Sequence, residues 1–254
     1  MARTSIFLNQ SPFTFNSHLQ AMDYIRNLPT TELLERVFFY QDATLAGLKN
    51  QQPIQGQASI MELWQELASE RGFALQSCIA NSLRRGIFNE EEAQRYDRQA
   101  NLADQFELTG LGEMAEAVIS SDRIVQFPHI KPIEAPQSEA QDIDLLIHIT
   151  SKPTLDLEPL ELAMACAAFE QQVALVFSGE GLSWLIKNQA PQRPGGKAAD
   201  KLIKALAMYD CDQVYFFTAK DNEQPDAELV NNVEQIPLQQ SYALIAQSKH
   251  QLTF

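Results

Sequence analysis

Basic residues are scarce in this chain: 19 lysines and arginines stand against 33 aspartates and glutamates, a formal charge of −14 over 254 residues. An acidic surface repels a phosphate backbone unless its few bases cluster. Here they are dispersed, which argues against tight direct binding of nucleic acid. Cysteine is rarer still. Three scattered cysteines make no disulfide framework, and neither they nor the widely spaced His18, His129, His148 and His250 share a metal-ligand interval, so no metal or cofactor is expected. Long apolar runs are missing too: none suffices to cross a bilayer, and Met1-Ala-Arg-Thr-Ser5 lacks the order of a secretion signal. A soluble protein of the reducing cytoplasm is the expectation. No glycine-rich dinucleotide fingerprint follows the first strand, where Asn9-Gln-Ser-Pro12 stands. Arg193-Pro-Gly-Gly-Lys197 lacks the length and final hydroxyl of a phosphate loop and reads as a turn before a helix.

What is present is a repeated order of elements. The polar, proline-bearing stretch 129–141 shows neither helical nor strand periodicity and reads as a linker between residues 1–128 and 142–254. On each side an apolar strand runs into an acid, Val37-Phe-Phe-Tyr-Gln-Asp42 and Val173-Ala-Leu-Val-Phe-Ser-Gly-Glu180, and each half closes on a short strand. Strands alternate with helices within each half, which predicts two tandem α/β units with mainly parallel sheets. In the first unit strands are expected at 5–8, 36–40, 73–79 and 123–127, and helices near 17–27, 59–70, 90–99 and 112–120. In the second, strands are expected at 143–149, 173–177, 213–218 and 251–254, and helices near 157–170, 197–209 and 238–247. Ser59-Ile-Met-Glu62 has the form of a capping box, and Ile60, Leu63, Trp64 and Leu67 behind it share one helix face. Leu145-Leu-Ile147 and Tyr215-Phe-Phe217 are apolar at successive residues, as strands covered on both faces must be.

Among the cysteines, Cys78 has the most chemically suggestive setting. It closes the apolar run Phe73-Ala-Leu-Gln-Ser-Cys78 and is followed by Arg84 and Arg85, so a thiol stands at the carboxyl end of a strand near two positive charges. Cys166 lies in a small-residue helical stretch. Cys211 sits beside acids that disfavour a second negative charge, so it should stay a thiol. Asp42 and Glu180 are expected to be structural acids that cap the elements following their strands.

Several segments carry a family resemblance. Val37-Phe-Phe-Tyr40, Ala74-Leu-Gln-Ser-Cys78-Ile-Ala-Asn-Ser-Leu-Arg-Arg-Gly86, Leu108-Thr-Gly-Leu-Gly112 and Ser121-Asp-Arg-Ile-Val-Gln-Phe127 resemble TusD, the DsrE-type subunit of the bacterial sulfur relay. The second unit is similar to TusC, the DsrF-type subunit, through Val173-Ala-Leu-Val-Phe177, Leu202-Ile-Lys-Ala-Leu-Ala-Met-Tyr-Asp210 and the closing strand. The resemblance implies two DsrE/DsrF-like three-layer α/β/α domains, a sulfur-accepting one over 1–128 and a structural one over 142–254. It also implies that Cys78 accepts a sulfane sulfur as a persulfide from a TusA-like donor. A TusE-like acceptor then takes the sulfur for 2-thiolation of the tRNA wobble uridine. A TusB/DsrH-like subunit would complete a hetero-oligomer. The second unit has no cysteine at the end of its third strand, where Thr218-Ala-Lys220 stand, so its implied role is to bury its neighbour and contact that subunit.

Chemistry limits what Arg84 and Arg85 contribute. A free cysteine with pKa near 8.5 is about 3% ionised at neutral pH. Lowering that pKa by about two units raises the thiolate share roughly 25-fold while nucleophilicity falls roughly eightfold, a net gain of about threefold. Positive charge therefore serves chiefly to hold an anionic persulfide or to dock a partner. Two other readings remain at this point: a non-catalytic assembly or regulatory protein in which Cys78 is inert, and DsrE-type sulfur trafficking in dissimilatory sulfur oxidation.

Overall fold

In the computed structural model, residues 1–128, 143–219, 225 and 227–254 are described. They divide into two units, with the boundary between Ile130 and Lys131. The proposed linker 129–141 lies outside the described residues, as does His129.

The first unit runs β1 (Ala2–Leu8), α1 (Ser17–Arg26), β2 (Glu32–Phe39), a 3-10 segment (Gln41–Gly47), α2 (Ile60–Arg71), β3 (Ala74–Cys78), α3 (Ile79–Arg84), α4 (Glu90–Tyr96), β4 (Phe106–Thr109), α5 (Leu111–Ser120) and β5 (Arg123–Phe127). All its strand pairs are parallel, in the order β4-β3-β2-β1-β5. Apolar runs such as Val37-Phe-Phe39 suit a sheet covered on both faces. Ile6, Leu8, Val37, Phe39 and Leu75 pack with Met22 and Ile25 of α1 and Trp64 and Leu67 of α2. On the opposite face, Arg36 donates to the Glu113 carbonyl and pairs with Glu116, both on α5.

Local chemistry sets the bounds of α2. Ser59 accepts from the Glu62 N–H at 3.1 Å while the Glu62 carboxylate accepts from the Ser59 N–H at 2.7 Å, the reciprocal pair expected from the sequence. At the far end Gly72 takes the left-handed conformation (φ 73°) that stops the helix, and its N–H returns to the Ala68 carbonyl at 2.8 Å.

The second unit repeats the plan: β6 (Leu145–Ile149), α6 (Glu158–Ala168), β7 (Val173–Phe177), a 3-10 segment (Gly179–Leu185), α7 (Ala199–Ala205), a short 3-10 turn (Leu206–Tyr209), β8 (Gln213–Phe216), β9 (Glu234–Gln235), α8 (Leu238–Gln247) and β10 (His250–Thr253). Its parallel sheet has the order β10-β6-β7-β8-β9. Read from the other edge this is the first sheet again, with β6 to β10 in the places of β1 to β5. Leu146, Ala174 and Val176 pack with Leu244 and Ile245 of α8.

The correspondence extends to detail. Each 3-10 segment opens on a left-handed residue, Gln41 (φ 46°) and Gly179 (φ 56°), with one residue between it and the second strand of its unit. In each a glutamine amide staples the segment: Gln51 donates to the Leu45 and Ala46 carbonyls, Gln189 to those of Trp184 and Ile186. Asp42 and Glu180 take equivalent places there. The sequence led one to expect caps at both places, but neither acid caps its segment. Asp42 pairs with Arg85 and Glu180 with Lys152, because Tyr40 and Ser178 hold the cap positions and both carboxylates, inside the segment, face outward.

Candidate functional site

Cys78 is the last residue of β3 and the N-cap of α3, so the strand turns into a helix at the sulfur itself. Its strand partner in β4 is Thr109. Side chains alternate along a strand, so Leu75 and Ser77 face α1 and α2, while Gln76 and Cys78 face the other side with Phe38 and Phe7. Phe7, Phe38 and Tyr40 pack there as an aromatic cluster, with Phe7 and Tyr40 centroids 5.7 Å apart. Tyr40 follows the Phe39–Ser77 pair and thus stands level with Cys78 at the carboxyl rim of the sheet.

The rim position matches the sequence reading, but the thiol is not open to solvent. Cys78 is only 1% exposed. The strand does not run out into a loop: α3 folds back at once, and the 3-10 segment closes against it. Two bonds tie the segment to α3, and a third within α3 orients the arginine that makes one of them. The Gln41 N–H donates to Asn81 Oδ1 at 2.6 Å, Arg85 Nε donates to Asp42 Oδ1 at 2.8 Å, and Arg85 also donates to the Asn81 carbonyl at 3.3 Å. Arg85 therefore directs its guanidinium at a carboxylate. Arg84 ends α3 with its side chain exposed.

Asn81, Ser82 and Thr109 were not singled out from sequence. Asn81 and Ser82 are fully buried, and Asn81 Nδ2, Ser82 Oγ and Thr109 Oγ1 have no hydrogen-bond partner among the described residues. The available signal was polar residues three and four positions beyond a cysteine at a helix start.

The other candidates are structural. Burial pushes the Cys166 and Cys211 thiols up to about 12, reinforced at Cys166 by Cys211 and at Cys211 by Asp212. Cys211 does stay a thiol, with burial as the leading cause and the neighbouring acid second. His18 is fully buried between Gln10 and Trp64: Trp64 Nε1 donates to Nδ1 at 3.1 Å, which leaves Nε2 to donate to the Gln10 carbonyl at 2.9 Å. Burial lowers its pKa to about 4. The segment Arg193–Lys197 is a turn before α7, with Arg193 paired to Asp156.

The corresponding rim of the second unit has different chemistry. Phe216 is registered on Phe177 as Ser77 is on Phe39, so Phe217 holds the place of Cys78, one residue earlier than the sequence reading set it. His148 replaces Phe7, and Ser178 replaces Tyr40. His148 Nε2 lies 2.8 Å from Ser178 Oγ, and its ring is 5.9 Å from that of Phe217. Burial lowers the His148 pKa to about 4, so the imidazole is neutral near pH 7. This rim offers no sulfur nucleophile.

No helix among the described residues is long and apolar enough to cross a membrane. The described residues include no cluster of three or more His, Cys, Asp or Glu suited to a metal ion.

Comparison with known proteins gives the geometry a context. The DsrE/DsrF-like family model matches residues 5–127 and again 145–254. The chain is 42% identical over 95 residues to the sulfurtransferase TusD homolog of Vibrio vulnificus (strain CMCP6), covering 37% of this chain and 72% of that protein. It is 42% identical over 95 residues to the sulfurtransferase TusD of Erwinia tasmaniensis, covering 37% of this chain and 74% of that protein. It is 44% identical over 93 residues to the TusD homolog of Pseudomonas aeruginosa, covering 36% of this chain and 71% of that protein. Among solved structures, the ychN protein from E.coli matches 50% of this chain and 100% of its own, with 25% identity and a TM-score of 0.41.

Proposed function

Because the chain belongs to the DsrE/DsrF-like family and has TusD sulfurtransferases among its relatives, we propose that it is a sulfur-relay sulfurtransferase that carries sulfane sulfur on Cys78. The observation that supports this most is the placement of Cys78. It is the one cysteine of the first unit, and it stands at the carboxyl rim of a parallel sheet among buried polar groups without partners. Loading is a sulfur transfer with no net oxidation. The Cys78 thiolate attacks the outer sulfur of a donor persulfide, the new S–S bond forms as the donor's breaks, and the donor leaves as its thiolate. A second thiolate then takes the outer sulfur and frees Cys78. Neither step can occur on a sulfur that is 1% exposed. The clamp of α3 on the 3-10 segment must open, and partner docking supplies the occasion.

The finer reading follows from TusD. A TusA-like protein supplies the sulfur and a TusE-like protein receives it for 2-thiolation of the tRNA wobble uridine, with a TusB/DsrH-like subunit completing a hetero-oligomer. The second unit, with Phe217 where Cys78 would be, acts as a scaffold in that assembly. Arg84, exposed beside the clamp, would meet an acidic partner; Arg85 would do so once released from Asp42. Complementation tests this reading. In a strain deleted for its TusD function, the wild-type chain should restore 2-thiouridine to tRNA and Cys78→Ser should not. Equal thiolation with both would refute it, and absence of thiolation with both would point to sulfur trafficking outside tRNA.

A further inference from the structure

The fold leaves buried polar atoms without partners in one neighbourhood. Among the described residues eleven buried side-chain N or O atoms lack a hydrogen bond; five of them, Gln76 Oε1, Ser77 Oγ, Asn81 Nδ2, Ser82 Oγ and Thr109 Oγ1, belong to β3, α3 and the β4 residue registered on Cys78. Each such atom loses its hydration with nothing in return, so a cluster calls for a reason. Ser77 points to the opposite face of the sheet, and Gln76 Oε1 can only accept. The other three are donors, and each is placed toward the sulfur by backbone geometry. Asn81 and Ser82 are three and four residues beyond Cys78, the spacings that share a side of a helix. Thr109 is the cross-strand partner of Cys78, so their side chains leave the sheet side by side. Asn81 is also fixed in orientation: its Oδ1 accepts from the Gln41 N–H, so its NH2 group must present the donors.

From this arrangement we infer that Asn81 Nδ2, Ser82 Oγ and Thr109 Oγ1 form a donor cradle that holds the outer sulfur of the Cys78 persulfide as its anion. This deepens the sulfur-carrier reading and rests on it. A hydropersulfide is a stronger acid than its thiol, so after loading the group Cys78–S–SH releases a proton to solvent and becomes Cys78–S–S⁻. A buried anion is tolerated only where hydrogen bonds replace its lost hydration. The thiol form leaves these donors idle, and the persulfide, longer by one sulfur, reaches them. The fold thereby favours the loaded over the unloaded state, and holds the sulfur until a partner opens the clamp.

The test loads the full-length chain with glutathione persulfide, counts the added sulfur by intact mass, and follows the ionisation of the bound persulfide against pH by ultraviolet difference absorbance. Asn81→Asp keeps the acceptor for Gln41 and removes the donor. The neutral double variant Thr109→Val/Ser82→Ala removes two hydroxyls at nearly constant volume. Each should move the ionisation profile toward higher pH, with roughly tenfold less anion at a given pH for the double variant. A purely structural role would lower the melting temperature and leave the profile in place. If the double variant loads as wild type does and its profile superimposes on wild type, the cradle is refuted while the carrier reading stands. If wild-type Cys78 gains no sulfur at all, the carrier reading fails and the cradle with it.

Discussion

Cutting the clamp over Cys78 should make the sulfur easier to reach without unfolding the protein. The substitution is Asp42→Asn, which keeps the shape of the side chain and removes the charge that holds Arg85. The ion pair is short, 2.8 Å, but Asp42 is 58% exposed while Arg85 is 19% exposed, so water screens one partner well. Such a pair contributes about 0.5–1 kcal/mol. A reagent meets Cys78 only in the opened state, and when reclosing is fast the labelling rate follows the opening equilibrium. Asp42→Asn should therefore raise the rate of Cys78 alkylation roughly two- to fivefold. Peptide mapping separates Cys78 from Cys166 and Cys211, which are buried as well. Salt provides an internal control. At about 1 M, where charges are screened beyond about 3 Å, the wild-type rate should rise toward that of Asp42→Asn, and the variant should respond little. Equal rates for the two proteins at low salt would show that the clamp does not govern access and would refute the reasoning.

Other consequences can be measured separately. His18 has a folded pKa of about 4 against 6.5 unfolded, so its contribution to stability is full above pH 6.5 and is lost as pH falls toward 4. The loss is about 1.4 kcal/mol per pH unit, about 3 kcal/mol in all, and His148 adds a loss of the same sign. Urea unfolding between pH 7 and pH 5 should show a shallower slope in His18→Gln than in wild type; equal slopes would contradict the assignment. Ser59→Ala removes one half of the capping box and should cost about 1 kcal/mol in the same assay, with no change in Cys78 loading. Gly181→Ala would place a Cβ 2.0 Å from the Ile149 carbonyl oxygen, so the second unit should lose about 1–3 kcal/mol of stability. An unchanged melting transition would show that the backbone there yields easily.

The sequence made the frame legible where one physical signal dominated. Val173–Phe177 is a strand at the expected bounds because a continuous apolar run leaves little choice, and Ser59 starts α2 because its capping partner lies three residues on. Short elements were missed. β4 has four residues and β9 two, too few to show a period, and each is held by a neighbouring strand rather than by its own propensity. The two 3-10 segments and the six-residue α3 escaped for the same reason. Their absence from the reading made Cys78 look like an open thiol. Its position was right, but closure over it depends on Asn81 meeting Gln41 and Arg85 meeting Asp42, contacts between residues about 40 positions apart. Thr109 became a neighbour of the sulfur only with the β3–β4 register.

Incubating the full-length chain with a persulfide donor and mapping the added sulfur by mass spectrometry tests the central claim most directly. A single extra sulfur on Cys78, absent in Cys78→Ser and removed by a competing thiol, is the predicted result. A Cys78 peptide that stays unmodified under conditions in which the donor transfers sulfur to other thiols would contradict it.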